Sequence, residues 1–301
     1  MAQKCRFDFQ IEILECDETN HTFKASIVPD PRRYEQVSEH GDKYFLDKYL
    51  KVLISAAEMA SQMEGLPIYH LQPSIDSTSE YANSRRAALE VETQTGEYRP
   101  PKELPTRHSD FSSDDNGKDL SFLSIDICGS TAYKLNDSSG FERAYDIFIR
   151  ELGTIVGQFN GAILKTKGDG FIAYIDHPSF TSQCDATIDL GLSLLYLLKN
   201  SVNPALVDAG LGPMEIRIGA DYGAATIRQL SIPATGYNGT EVASDALNRS
   251  VKIEESCEPG QFRIGRALYE LIHVKWLERS KEVAFDGSGV GDDQYKVYLV
   301  S

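Results

Sequence analysis

A carboxylate stands inside a run that otherwise reads as a buried strand: LSFLSIDI, from Leu120 to Ile127, carries Asp126 near its end and is followed at once by CGST. An ionised side chain at the edge of a sheet core is costly unless it is paired or holds a metal ion. The turn behind it supplies Gly129, which permits close backbone approach, and then Ser130 and Thr131, both helix-capping types. A helix start presents unbonded N–H groups and the positive end of the helix dipole, a favourable place for a phosphate.

The sequence on either side limits the fold that can carry this strand. FERAYDIFIRELGTIVGQF has helical periodicity, AILKTKGDGFIAYI predicts a hairpin around Gly-Asp-Gly, and QCDATIDLGLSLLYLLKNS predicts a second apolar-striped helix. EIRIGADYGAATI predicts a pair of short strands, and DALNRSVKIEESC a helix stopped by Pro259 and Gly260. Strand, helix, strand, strand, helix, strand is the ferredoxin-like order, so the expected class is α+β.

Ahead of this lies an expected N-terminal α/β extension. Phe7, Phe9, Ile11 and Ile13 alternate as in a half-buried strand, with HTFKASIV as its partner across the CDETN turn. Tyr44 to Met63 predicts one amphipathic helix ended by Gly65 and Pro67, facing the core or, alternatively, a second copy. Gln72 to Asp119 is polar and rich in Ser, Thr, Pro and acidic residues; it predicts a linker or loop with room for a short helix at SEYANSRRAALEVE. The expected division is residues 1–71, 72–118 and 119–301.

Composition removes several function classes. A net charge of −15 argues against general binding to nucleic acid or to anionic membranes, although a polyphosphate remains accessible through metal ions. No apolar run approaches a membrane span, and MAQKCRFDFQ lacks a signal-peptide core, so a cytoplasmic protein is expected. The five cysteines have no C-x-x-C spacing and the six histidines are scattered, which predicts free thiols and no zinc cluster.

Asp169, between Gly168 and Gly170, would lie at the hairpin tip. Alone it is ordinary turn chemistry, and Asp126 alone could be a helix cap. If the hairpin pairs beside the Leu120 strand, the two carboxylates can meet, and oxygen-only ligation then favours Mg²⁺ or Mn²⁺. Two aspartates beside a phosphate cradle suit two-metal phosphoryl chemistry.

FLSIDICGST, LKTKGDGFIAYI, RIGADYG and ALNRSVKIEESCEPGQFRI, in this order, resemble the catalytic domain of class III nucleotidyl cyclases over about residues 118 to 270. The resemblance implies a head-to-tail homodimer with active sites at the interface. Asp126, Asp169 and the Ile127 carbonyl would hold two divalent metal ions, one acidifying the ribose 3′-hydroxyl and the other holding the β- and γ-phosphates. The phosphate-binding stretch Ile127, Cys128, Gly129, Ser130 and Thr131 would cradle the nucleoside triphosphate, chiefly through the backbone N–H groups of Gly129, Ser130 and Thr131. The 3′-oxygen would then displace pyrophosphate from the α-phosphorus. Asn248 falls on the ribose-orienting position. Lys252 falls where the family usually has an Arg that stabilises the α-phosphate, and lysine keeps the charge but loses the bidentate fork.

By the same likeness Lys165 reads the base edge, with Glu241, or alternatively Thr240, as its partner. A donor at Lys165 leaves adenine, cytosine and uracil open and disfavours guanine. A soluble cyclase of this length, with GDGF and an altered Asn/Arg helix, is similar to the pyrimidine cyclases of bacterial Pycsar antiphage signalling. That likeness favours UTP as substrate and cyclic UMP as product, read by a separate effector protein, with cyclic CMP as the other pyrimidine product. The alternatives are an adenylate cyclase making cyclic AMP, a nucleotide-binding domain without activity, and a ferredoxin-like dimer used only for assembly.

Overall fold

The computed structural model describes residues 4–17, 22–39, 42–63, 75–102, 111 and 117–301. They form two compact units, one of residues 1–70 with 270–278 and one of residues 71–269 with 279–301.

In the small unit β1 (Phe9–Asp17) pairs antiparallel with β2 (Thr22–Pro29) as expected, but the half-buried face is corrected: Phe7 and Phe9 are partly covered, whereas Ile11 and Ile13 are exposed. A second antiparallel sheet holds β3 (Tyr34–Glu39), β4 (Asp42–Asp47) and β5 (Leu53–Ser55), followed by α1 (Ala56–Met63). The single helix expected from Tyr44 to Met63 is therefore corrected: only its last eight residues are helical. Asp47 breaks the run, because its carboxylate accepts from the N–H groups of Tyr49 and Leu50 at 2.9 and 3.0 Å. Lys51 then turns the chain with φ of 60°. Such local side-chain bonds compete directly with helix. The terminators expected at Gly65 and Pro67, and most of the CDETN turn, lie outside the described residues.

The large unit begins with α2 (Thr78–Thr95), capped by Ser77 and ended by Gly96 in the left-handed conformation. It covers SEYANSRRAALEVE, the short helix expected within the polar segment, and runs a little beyond it at both ends. Arg85, fully buried, forms a two-pronged bond with buried Glu151 at 2.7 and 2.8 Å and so fastens the helix in place. A helix held by buried charge shows only a narrow apolar stripe, here Tyr81, Ala82 and Leu89.

There follow β6 (Lys118–Cys128), α3 (Ser130–Asn136), α4 (Ser138–Gln158), β7 (Gly161–Lys167), β8 (Gly170–Ile175) and α5 (Phe180–Leu197). After α6 (Asn203–Asp208) come β9 (Glu215–Ile232), β10 (Tyr237–Ala243), α7 (Asp245–Glu255), β11 (Phe262–Gly265), α8 (Arg266–Tyr269), β12 (Ser280–Val283) and β13 (Val297–Val300). The sheet order is β12-β13-β11-β9-β6-β8-β7, with β10 on the far part of β9. Its β9-β6-β8-β7 portion is the ferredoxin-like arrangement, and the α+β class holds.

EIRIGADYGAATI is not two short strands but part of one strand of 18 residues. The glycines within it serve packing. A Cβ on Gly219 would lie 2.2 Å from the Glu254 nitrogen, so α7 rests directly on the strand. The motif's Asp221 is fully buried, bonded to the Arg249 guanidinium and to the Tyr295 hydroxyl.

Helices α4 and α5 cover one face of the sheet, where Phe148 meets Phe171. On the other face Ala246 and Leu247 of α7 pack with Leu120, Phe122, Ile172 and Tyr174. Burying each such large side chain contributes about 1.5–3 kcal/mol. Among the described residues no helix is long and apolar enough to cross a membrane.

Candidate active site at the end of strand β6

Strand β6 leaves the core at Asp126, whose side chain is 17% exposed, on the sheet face that carries α7. Directly across the β6–β9 pair stands Arg217, which donates from Nη2 to Asp126 Oδ2 at 2.8 Å. The other side of the same guanidinium faces Glu254 of α7, with Nε and Oε1 2.7 Å apart as an ion pair. Glu254 is fully buried, and its Oε2 accepts from Lys167 Nζ at 2.9 Å and from the Ser124 hydroxyl at 3.1 Å. Burial pushes the Glu254 carboxyl above its ordinary value against the opposing pull of Lys167. Four charged side chains from three strands and a helix thus form one connected chain.

The Gly-Asp-Gly hairpin lies against this point. Ile125 pairs with Phe171 across β6 and β8, and a Cβ on Gly170 would fall 2.0 Å from the Ile125 oxygen and 2.9 Å from the Asp126 Cα. Only glycine allows the turn to come so near, and it carries half-buried Asp169 one residue from the contact. On the other side Gly129, at φ of 70°, swings the chain from β6 into α3, leaving Ser130 buried and Thr131 exposed. Ile127 is buried, and burial pushes the Cys128 thiol up. Asp126, Ile127, Cys128, Gly129, Ser130, Thr131 and Asp169 therefore gather at one end of the sheet.

The remaining predicted residues lie elsewhere on the unit. Asn248 and Lys252 are on the exposed side of α7, where Lys252 is bonded to Glu255 at 2.9 Å. Lys165 is exposed on β7, opposite Ile172 and so on the α7 face. Glu241 forms an exposed ion pair with Arg228 at 2.5 Å, and Thr240 accepts from Gln229 at 3.0 Å, both across the β9–β10 pair. Leu164 and Val242, the neighbours of Lys165 and Glu241, pack on the same apolar cluster.

Arg217, Glu254 and Lys167 escape a reading by motif. Their signal is a charge at a position that pattern assigns to the interior: Glu254 follows Leu247, Ser250 and Ile253 along the buried side of α7.

The donor set suits a hard divalent cation. Among the described residues no group of three or more His, Cys, Asp or Glu side chains gathers as a metal cage. Mg²⁺ ordinarily needs no such cage; it binds through one or two carboxylates together with substrate phosphates. Asp126, Asp169 and the Ile127 carbonyl fit that pattern.

No protein-family profile matches the sequence, and no curated protein matches it either. Solved structures do. The adenylyl cyclase CyaB from P. aeruginosa is similar over 62% of this chain and 94% of its own, at 20% identity and a TM-score of 0.53. The guanylyl cyclase Cya2 covers 62% and 92%, at 18% identity and a TM-score of 0.52. The guanylate cyclase domain of RhGC from Catenaria anguillulae, in complex with GTP, covers 61% and 96%, at 17% identity and the same TM-score of 0.52. The large unit has the fold of these nucleotide cyclase domains.

Proposed function

We propose that the large unit is a nucleotidyl cyclase, converting a nucleoside triphosphate to a 3′,5′-cyclic nucleotide and pyrophosphate. The observation that carries this reading is the seating of the Gly-Asp-Gly turn on the backbone of Asp126, because it sets two carboxylates at one sheet end beside a Gly-Ser-Thr turn. Asp126, Asp169 and the Ile127 carbonyl would hold two divalent cations, Mn²⁺ or Mg²⁺. When bound, these cations supply Lewis-acid activation of the ribose 3′-hydroxyl and neutralise phosphate charge. Gly129, Ser130 and Thr131 would bind the triphosphate through their N–H groups.

Asn248 and Lys252 stand exposed on α7, and in a head-to-tail homodimer they would serve the partner's substrate. Asn248 would orient the ribose and Lys252 would meet the charge on the α-phosphate. Lys165 would read the base edge, with Glu241 as its partner once released from Arg228.

UTP is the favoured substrate and cyclic UMP the product, on the likeness of the altered Asn/Arg helix to the pyrimidine cyclases. In that reading the product is a messenger for a separate effector in antiphage signalling. Purified protein incubated with each of the four nucleoside triphosphates and Mn²⁺ decides the matter by mass spectrometry of the product. Cyclic UMP with pyrophosphate is expected. Cyclic AMP would replace the base assignment by the adenylate alternative, and nucleotide binding without any product would replace catalysis by sensing. Lys165→Glu should move the preference toward GTP; an unchanged preference would remove Lys165 from base reading.

A further inference from the structure

We propose that Lys167, held in place by buried Glu254, binds the phosphates of the substrate, as a cationic contact from the same subunit that supplies Asp126. This rests on the cyclase reading above and adds a residue to it.

The argument starts from charge. Asp126, Arg217, Glu254 and Lys167 are linked by contacts of 2.7–2.9 Å, and their formal charges cancel. Once Asp126 is engaged by cations, Glu254 alone faces both Arg217 and Lys167, and one positive charge is unbalanced. Glu254 is 0% exposed and cannot reach a ligand, and Arg217 is spanned between two carboxylates. The Lys167 side chain keeps 34% of its exposure. An ammonium has three donors, and Glu254 takes one of them.

Position agrees with charge. Lys167 pairs with Gly170 in the hairpin register, and Gly170 is the residue that lies on the Asp126 backbone. The ammonium therefore stands on the same sheet face as the site, on the strand that leads into Asp169. By contrast Lys252 lies on the exposed side of α7 and is bonded to Glu255. Once Asp126 is engaged by cations, Arg217 alone can balance Glu254, and Lys167 is no longer needed for that. Glu254 is then a positioning residue, fixing the lysine stem so that little conformational entropy is lost on binding.

The test uses pyrophosphate, whose binding is independent of the base, with Mn²⁺ and the full chain in titration calorimetry. Lys167→Met should weaken pyrophosphate binding about tenfold or more. Lys167→Arg should stay within about threefold of the parent protein, and a thermal melt should show each variant folded at the assay temperature. If the Met variant does not fold, Lys167→Gln takes its place. Unchanged pyrophosphate affinity in the neutral variant, with or without a lower melting temperature, would overturn the assignment and leave Lys167 a structural counter-ion. A parent protein that binds neither pyrophosphate nor any nucleoside triphosphate would overturn the cyclase reading, and this inference with it.

Discussion

Two charge networks, one in each unit, are built in different ways. In the small unit Arg33 is 1% exposed and lies between Asp8 and Asp47, each bonded at 2.8 Å. Asp8 also accepts from Arg6 at 2.8 Å and from the Val274 N–H at 3.0 Å. Asp8 and Asp47 are both buried and both met by partners from within the unit. In the large unit the series Lys167, Glu254, Arg217 ends at Asp126, which retains an exposed edge. A closed network of charges stabilises a fold. An open one delivers a charge to something that is not part of the chain.

The strongest way to break this contrast is to remove the open end. Asp126→Ala and Asp169→Ala should each lower turnover about a thousandfold or more, read by pyrophosphate release, while light scattering shows the assembly state unchanged. Full activity in either variant would place the chemistry elsewhere. Removing the centre of the closed network should act on stability instead. Arg33→Met leaves Asp8 and Asp47 buried without their shared partner and should cost about 3–5 kcal/mol, read by hydrogen exchange in β3 and β4. A loss under about 1 kcal/mol would mean that the cluster behaves as an exposed one.

Gly170→Ala sharpens the comparison at intermediate size. The added Cβ meets backbone rather than a flexible side chain, so the hairpin must move. About 1–3 kcal/mol of stability should be lost in thermal unfolding, together with turnover. Normal turnover would show that the close approach is not needed for chemistry.

The smallest effect concerns acid. Burial pushes the Asp8 carboxyl up, but Arg6 and Arg33 together bring it below its ordinary value. A value depressed in the folded state contributes stability that is complete above the unfolded-state value, about 4, and is lost as pH falls through the folded one. Urea titrations between pH 6 and about pH 2 should show the small unit weakening across that window, and Asp8→Asn should flatten the slope. Parallel slopes in the two proteins would remove Asp8 as the cause.

Much of the large unit was legible in sequence, because β6, the β7–β8 hairpin, α4, α5 and α7 carry local periodicity and turn chemistry. Asp126 and the glycine turn behind it stood out because a carboxylate in an apolar strand has few explanations. The features that escaped depend on contacts between distant residues. Gly219 and Gly223 look like strand breaks until a helix is laid on them, and Arg85 looks like a solvent residue until Glu151 is placed beside it. Tyr44–Met63 misled because apolar spacing alone does not register the Asp47 side chain bonding to its own backbone. Arg217 and Glu254 are adjacent only in space.

The seating of α7 on Gly219 has a further consequence. Ala246, Leu247, Ser250, Ile253 and Glu254 face inward, whereas Asp245, Asn248, Lys252 and Glu255 face out. The inward set answers to the architecture, and the outward set is released from it. Exchanges at exposed positions of this kind typically change stability by no more than about 0.5 kcal/mol. Asn248 and Lys252 can thus be exchanged with little cost to the scaffold that carries them.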